Sequence, residues 1–128
     1  MKEFMLYIRN EADASAKMPE ETHSLFLASC RSYIEQLTKD GKLLAAQPIV
    51  RDGVIISRSD QQWKIIPYNE RSEVNVGYYH ILAKDIDDAI AIAKENPEFA
   101  FSATARIEVR PIKTQEISTG YVYPGEGK

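Results

Sequence analysis

The chain has a single cysteine, no apolar run of bilayer length and no surplus of positive charge. Each shortage removes a class of explanation. With Cys30 alone, neither an internal disulfide nor a cysteine-based metal site can form, and a reducing compartment is the simplest setting. No stretch approaches the roughly 18 apolar residues that a membrane-spanning helix needs. The opening residues Met1 to Asn10 set Glu3 and Arg9 around a short alternating run, which leaves no uninterrupted apolar segment for export. A cytoplasmic protein is therefore expected. A formal net charge of −3 makes no electrostatic case for nucleic acid, whose binding rests on clustered Lys and Arg against phosphates. Glycine-rich phosphate loops and G-x-S-x-G elbows are also missing, so nucleotide-dependent and serine-hydrolase chemistry lack support.

What is present suffices for one domain. At 128 residues and 44% apolar content, the chain can build a core without disulfides or metals. From Lys2 to Arg9 the residues alternate, Phe4, Leu6 and Ile8 on one side and Met5, Tyr7 and Arg9 on the other, as in a strand covered on one face. Pro19, Glu20 and Glu21 suit a helix start, and the stripe Phe26, Cys30, Tyr33, Ile34 and Leu37 predicts a helix from about Pro19 to Asp40, stopped by Gly41. Strand-like runs follow at Leu43 to Val50, Val54 to Ser59 and Trp63 to Tyr68, with Asp52-Gly53 expected to turn the first two into a hairpin. Gly77 opens another alternating strand to Lys84. Asp85 is placed to cap a second helix, Ile86 to Glu95, which Asn96-Pro97 ends. Ala105 to Ile112 forms a last strand. Residues 113–128, with Gly120, Pro124, Gly125 and Gly127, read as a tail holding few apolar anchors.

This order predicts an α+β domain over residues 1–112: a ferredoxin-like antiparallel sheet with two helices on one face. The other face would then carry Met5, Tyr7 and Arg9, then Tyr78, His80 and Leu82, then Arg106, Glu108 and Arg110. Such a mixture of aromatic, apolar and charged groups is expected to meet a second copy across a two-fold axis, in the manner of a dimeric α+β barrel. The alternative is a solvated amphipathic face on a monomer.

The stretches Gly77-Tyr78-Tyr79-His80-Ile81-Leu82-Ala83, Asp85-Ile86-Asp87-Asp88-Ala89 and Ile107-Glu108-Val109-Arg110-Pro111-Ile112 resemble the C-terminal half of YCII-related and DGPF proteins. In the DGPF branch a motif precedes this half. Pro67-Tyr68 stands where its Pro-Phe would lie, Glu70 and Glu73 at its following acids, and Ile65-Ile66 in place of its Asp-Gly. The resemblance implies a dimeric ferredoxin-like fold, and some DGPF relatives are associated with sigma-factor systems. In YCII proteins proper it implies an active-site pair of a first-helix His and the Asp of an Asp-Pro. His23 matches the former. Asn96-Pro97 matches the latter with an amide where the carboxylate would be, and an amide neither takes a proton near neutral pH nor balances an imidazolium.

His23 is the catalytic candidate, a base near the positive end of its helix, against the alternative of a histidine hydrogen-bonded at the core edge. Tyr7, Arg9, His80 and Arg110 are the candidate ligand-binding residues, the arginines offering planar donor forks to a small anionic metabolite. Glu108 stands close enough to pair with either arginine instead. No organic cofactor is implied. His80 and His23 lack a third ligand at metal-site spacing, so no metal is expected. Cys30 reads as an inert core thiol, and Trp63 and Tyr68 either line a pocket or pack. Three readings compete: a cofactor-independent small-molecule enzyme with His23 as acid or base, a non-catalytic dimeric ligand-binding or regulatory module, and a purely structural protein, which would gain if no pocket contained His23.

Overall fold

The first strand, β1 (Lys2–Asn10), buries Phe4, Leu6, Ile8 and Asn10 and turns Glu3, Met5, Tyr7 and Arg9 to the other side. The computed structural model describes residues 1–11, 14, 17–68 and 73–124. Glu70, Gly125 and Gly127, named above, lie outside the described residues. Beyond β1 come α1 (Glu20–Lys39), β2 (Leu43–Pro48), β3 (Val54–Ser59), β4 (Gln62–Pro67), β5 (Val74–Ala83), α2 (Ile86–Lys94), α3 (Pro97–Phe101) and β6 (Arg106–Pro111).

Four strands form one antiparallel sheet in the order β2-β5-β1-β6. Set β3 and β4 aside, and the path β1-α1-β2-β5-α2-β6 is the split βαβ arrangement of a ferredoxin-like α+β fold. The helices bury one face. Leu37 of α1 and Ala89, Ile92 and Ala93 of α2 close over Phe4, Leu6, Ile8, Tyr79, Ile81 and Ala83 of the central strands. Leu6 and Ile81 are sealed completely, and burials of this kind stabilise a fold by about 1.5–3 kcal/mol each. Tyr33 of α1 meets Tyr79 edge to face at 5.4 Å, and its hydroxyl donates to the Ile92 carbonyl at 2.7 Å, so one side chain ties both helices to the sheet.

The caps follow the sequence reading. Gly41 takes φ +69° where α1 stops, a conformation that suits glycine. Asp85 accepts from the Asp88 amide at 2.8 Å and so caps α2.

Three expectations are corrected. Asp52-Gly53 does not turn a hairpin between β2 and β3, because the edge of β5 takes β2, pairing Leu43–Pro48 with the segment from Gly77 to Ile81. The hairpin is instead β3–β4, closed by Asp60 and Gln61 at φ 50° and 65°, the left-handed pair of a two-residue loop whose twist matches its strands. Second, Pro97 begins a further short helix, α3. The preference that takes Asn96 out of helical geometry makes it an N-cap, and proline needs no amide partner at the first position. Third, β5 starts at Val74 rather than Gly77. In the described part of the tail the contacts are local and polar: Gln115 bridges Val122, Lys113 pairs with Glu116, and the Tyr123 hydroxyl donates to Glu116.

Candidate functional site

β1 runs through the middle of the sheet, so its alternation divides the chemistry of the chain between two faces. On the face away from the helices, cross-strand register brings Tyr7 between Tyr78 of β5 and Glu108 of β6, and Met5 between His80 and Arg110. Arg9 lies opposite Asn75 on one side and Arg106 on the other. Two arginines side by side repel, and acids resolve the conflict. Glu73 bridges them, at 2.8 Å from Arg9 and 3.3 Å from Arg106. Glu108 takes the other nitrogen of Arg9 at 3.2 Å and touches Arg110 at 3.4 Å.

These groups rim a hollow of about 470 Å³ lined by Tyr7, Arg9, Tyr68, Glu73, Val74, Asn75, Glu108 and Arg110. Tyr7, Arg9 and Arg110, three of the predicted ligand-binding residues, thus come together. They differ in availability. Arg9 is held from two sides by carboxylates, whereas the Arg110 side chain is 66% exposed and has one long contact. Among the described residues, three arginines meet two glutamates at this end of the face. Tyr68, whose sequence signal was equivocal between lining and packing, lines the hollow.

His80 shares the face but not the hollow. Its Nε2 lies 2.8 Å from Glu3, a diagonal neighbour on β1, and this pair is largely screened from solvent. Alternation alone puts Glu3 on this face; the diagonal match of side-chain lengths that joins it to His80 was missed.

His23 lies on the other side of the sheet, in the first turn of α1. Its ring stacks on Phe26 at 6.4 Å, and Phe26 meets Phe101 of α3 edge to face at 5.4 Å. The hollow that Arg9 and Arg110 line is not lined by His23. Asn96 caps the far end of α3 from Phe101, about 7 Å of helix away at 1.5 Å per residue. Its side-chain oxygen is spent on the Glu98 amide at 2.9 Å. Its amide nitrogen is sealed and closes no hydrogen bond among the described residues, though it faces the Tyr33 and Tyr79 hydroxyls closely enough to oppose the effect of burial on them. No hydrogen bond among the described residues joins Asn96 to His23.

The helix side holds a second polar cluster that sequence reasoning missed. Asn10, 2% exposed, donates to Glu98 at 3.1 Å and Ser102 at 3.2 Å, and accepts from Thr104 at 2.7 Å and from the Glu11 amide at 2.8 Å. The signal was available: Asn10 continues the buried phase of β1, and a buried amide must find partners. Burial raises the Glu98 carboxyl above its usual range, with the Asn10 amide pulling the other way. Burial, helped by Glu98, pushes the Cys30 thiol up to about 11, which agrees with an inert core thiol. Tyr79 is pushed up to about 12, again chiefly by burial. Tyr33 rises as well, first through burial and then through its neighbour Tyr79.

Among the described residues, no cluster of three or more His, Cys, Asp or Glu could hold a metal ion. No helix there is long and apolar enough to cross a membrane. In comparison with known families, residues 3–113 match the YCII-related domain. No curated protein matches the sequence.

Proposed function

We propose that this chain, which belongs to the YCII-related family, is a non-catalytic homodimeric module that binds a small carboxylate- or phosphate-bearing metabolite in the open-face hollow. One observation carries the reading: Arg110 presents a mostly exposed guanidinium at the rim of a hollow whose floor arginine is already fixed by Glu73 and Glu108. Arg9 and its acids set the shape. Arg110 is the free fork, and an anion competes for it only against one long contact to Glu108. Tyr7 and Tyr68 add hydroxyls that can donate to the same ligand.

The catalytic alternative is weaker on geometry. His23 and the arginines occupy opposite faces, and the amide at Asn96 supplies no anion for an imidazolium.

Calorimetric titration with inorganic phosphate and with succinate tests the reading. Charge-assisted hydrogen bonds are worth about 1.5–3 kcal/mol, so Arg110→Ala should weaken binding by roughly ten- to a hundredfold. His23→Ala should leave it unchanged. Absence of heat with either anion at millimolar concentration, or equal affinity in Arg110→Ala, would sink the proposal.

A further inference from the structure

The β3–β4 hairpin leaves the sheet after β2 and returns at Tyr68, just before β5, at the end where the hollow opens. Tyr68 is bound back to Gly53 by its amide at 2.8 Å, and beyond that closure the ribbon pairs with itself. Register puts Val54, Ile56, Arg58, Trp63, Ile65 and Pro67 on one of its faces. Val54, Ile56, Trp63 and Ile65 are each 58–66% exposed, and Ile55 and Ile66 on the reverse face are 43% and 42% exposed.

A two-stranded ribbon alone in water is marginal. Its apolar surface, on the order of 600 Å², matches the largest patches that monomers tolerate. It also approaches the roughly 800 Å² that each partner gives to a stable interface. Six residues per strand reach about 20 Å, while a four-stranded sheet is about 14 Å across between its outer strands. The arm is long enough to cross a sheet of this kind. The open face of this chain carries the complementary surface, Met5, Tyr7, Tyr78 and Leu82, half-buried and not covered by a helix.

We infer that each β3–β4 arm lies across the open sheet face of a second copy of this chain, so that Trp63 of one subunit closes the Arg9–Arg110 hollow of the other. The inference rests on the reading of the hollow as a ligand site and adds what completes it. A two-fold axis gives both copies the same exchange, and each arm buries the apolar side chains that its own subunit leaves in water.

Trp63 is the single tryptophan, so fluorescence reads the arm alone. Sedimentation should find a dimer whose emission is that of a shielded indole, and dilution should shift the emission to the red as the dimer dissociates. The double variant Ile56→Ser, Ile65→Ser changes only side chains exposed in the isolated subunit. It should keep the circular dichroism of the parent, become monomeric, and bind inorganic phosphate about tenfold more weakly. A monomer at every concentration, a dimer with a solvent-exposed indole, or a shielded indole in a monomer overturns the exchange. Phosphate binding that survives Arg110→Ala with the indole still shielded overturns the hollow and not the arm.

Discussion

Removing the Asn10 side chain is the sharpest test of how the helix side is held. Asn10→Ala deletes four hydrogen bonds: those donated to Glu98 of α3 and to Ser102 at its end, and those accepted from Thr104 in the turn before β6 and from the adjacent Glu11 amide. A net worth of about 0.5–1.5 kcal/mol per bond gives a first figure of about 2–6 kcal/mol. The Glu98 carboxylate then loses its donor in a partly buried place, and an orphaned buried group costs about 1–3 kcal/mol more. An overall loss of about 3–9 kcal/mol at neutral pH follows, comparable to the whole stability of a small domain. The loss should also depend on pH. The Asn10 amide lowers the Glu98 pKa against burial, so its removal raises that pKa further. Glu98 then binds its proton more readily in the folded than in the unfolded chain, and stability falls as pH rises from the ordinary carboxyl value of 4.5 through the raised one. Urea unfolding of parent and variant at pH 4.5 and pH 8, values that bracket that transition, should give the smaller penalty at the acid end. A penalty under about 1 kcal/mol, or one equal at both pH values, would refute the account of Asn10 as the hub.

Other perturbations probe separate joints. Glu98→Gln keeps an acceptor for Asn10 while removing the buried charge; it should flatten the fall of stability above pH 4.5, which pH-series thermal melts would reveal. Gly77→Ala would set a methyl 3.0 Å from the Gln47 carbonyl and 3.3 Å from the Pro48 α-carbon, both backbone of β2. A loss of about 1–3 kcal/mol in urea is expected, with hydrogen exchange speeding up in β2 first. Asp85→Ala removes the cap of α2 and should cost about 1 kcal/mol, a value that Asp85→Asn would largely restore if the side-chain acceptor is what matters.

How much of this was legible depended on the range of the signal. Strict alternation in β1 announced both faces, and every residue it assigned to the open side is there, because one-residue phase errors would put Phe4, Leu6 and Ile8 in water. The α1 stripe and the Asp85 cap were likewise local facts. Strand pairing was not. Asp52-Gly53 has the composition of a hairpin turn, yet Asp60-Gln61, with no glycine, makes the turn, since the competition for β5 decides which neighbour β2 takes. The acids Glu73 and Glu108 could be foreseen as partners for arginine, but Glu73 as the bridge between Arg9 and Arg106 required the register of two strands at once. The alternation of β1 also separates buried Asn10 from Arg9 on the open side, and the partners that Asn10 finds there were missed.

That separation has a further consequence for how this fold can evolve function. A strand that buries Asn10 and exposes Arg9 next to it builds two unlike sites from adjacent residues, one dry and hydrogen-bonded, the other wet and ionic. The dry site is stiff, because both polar atoms of the Asn10 side chain are committed to neighbours and a change there is felt by α3 and the turn before β6 together. Arg110 on the wet side, with one weak contact, can be altered with little effect on stability, since exposed ion pairs contribute about 0–1 kcal/mol. Under the proposed reading of the hollow, ligand preference can drift at its rim while the helix side stays fixed. The amide at Asn96 fits that division. It serves as an α3 cap and is itself 2% exposed, where a carboxylate would have to be desolvated. In this chain the position works for the fold, and the chemistry left open to change lies across the sheet.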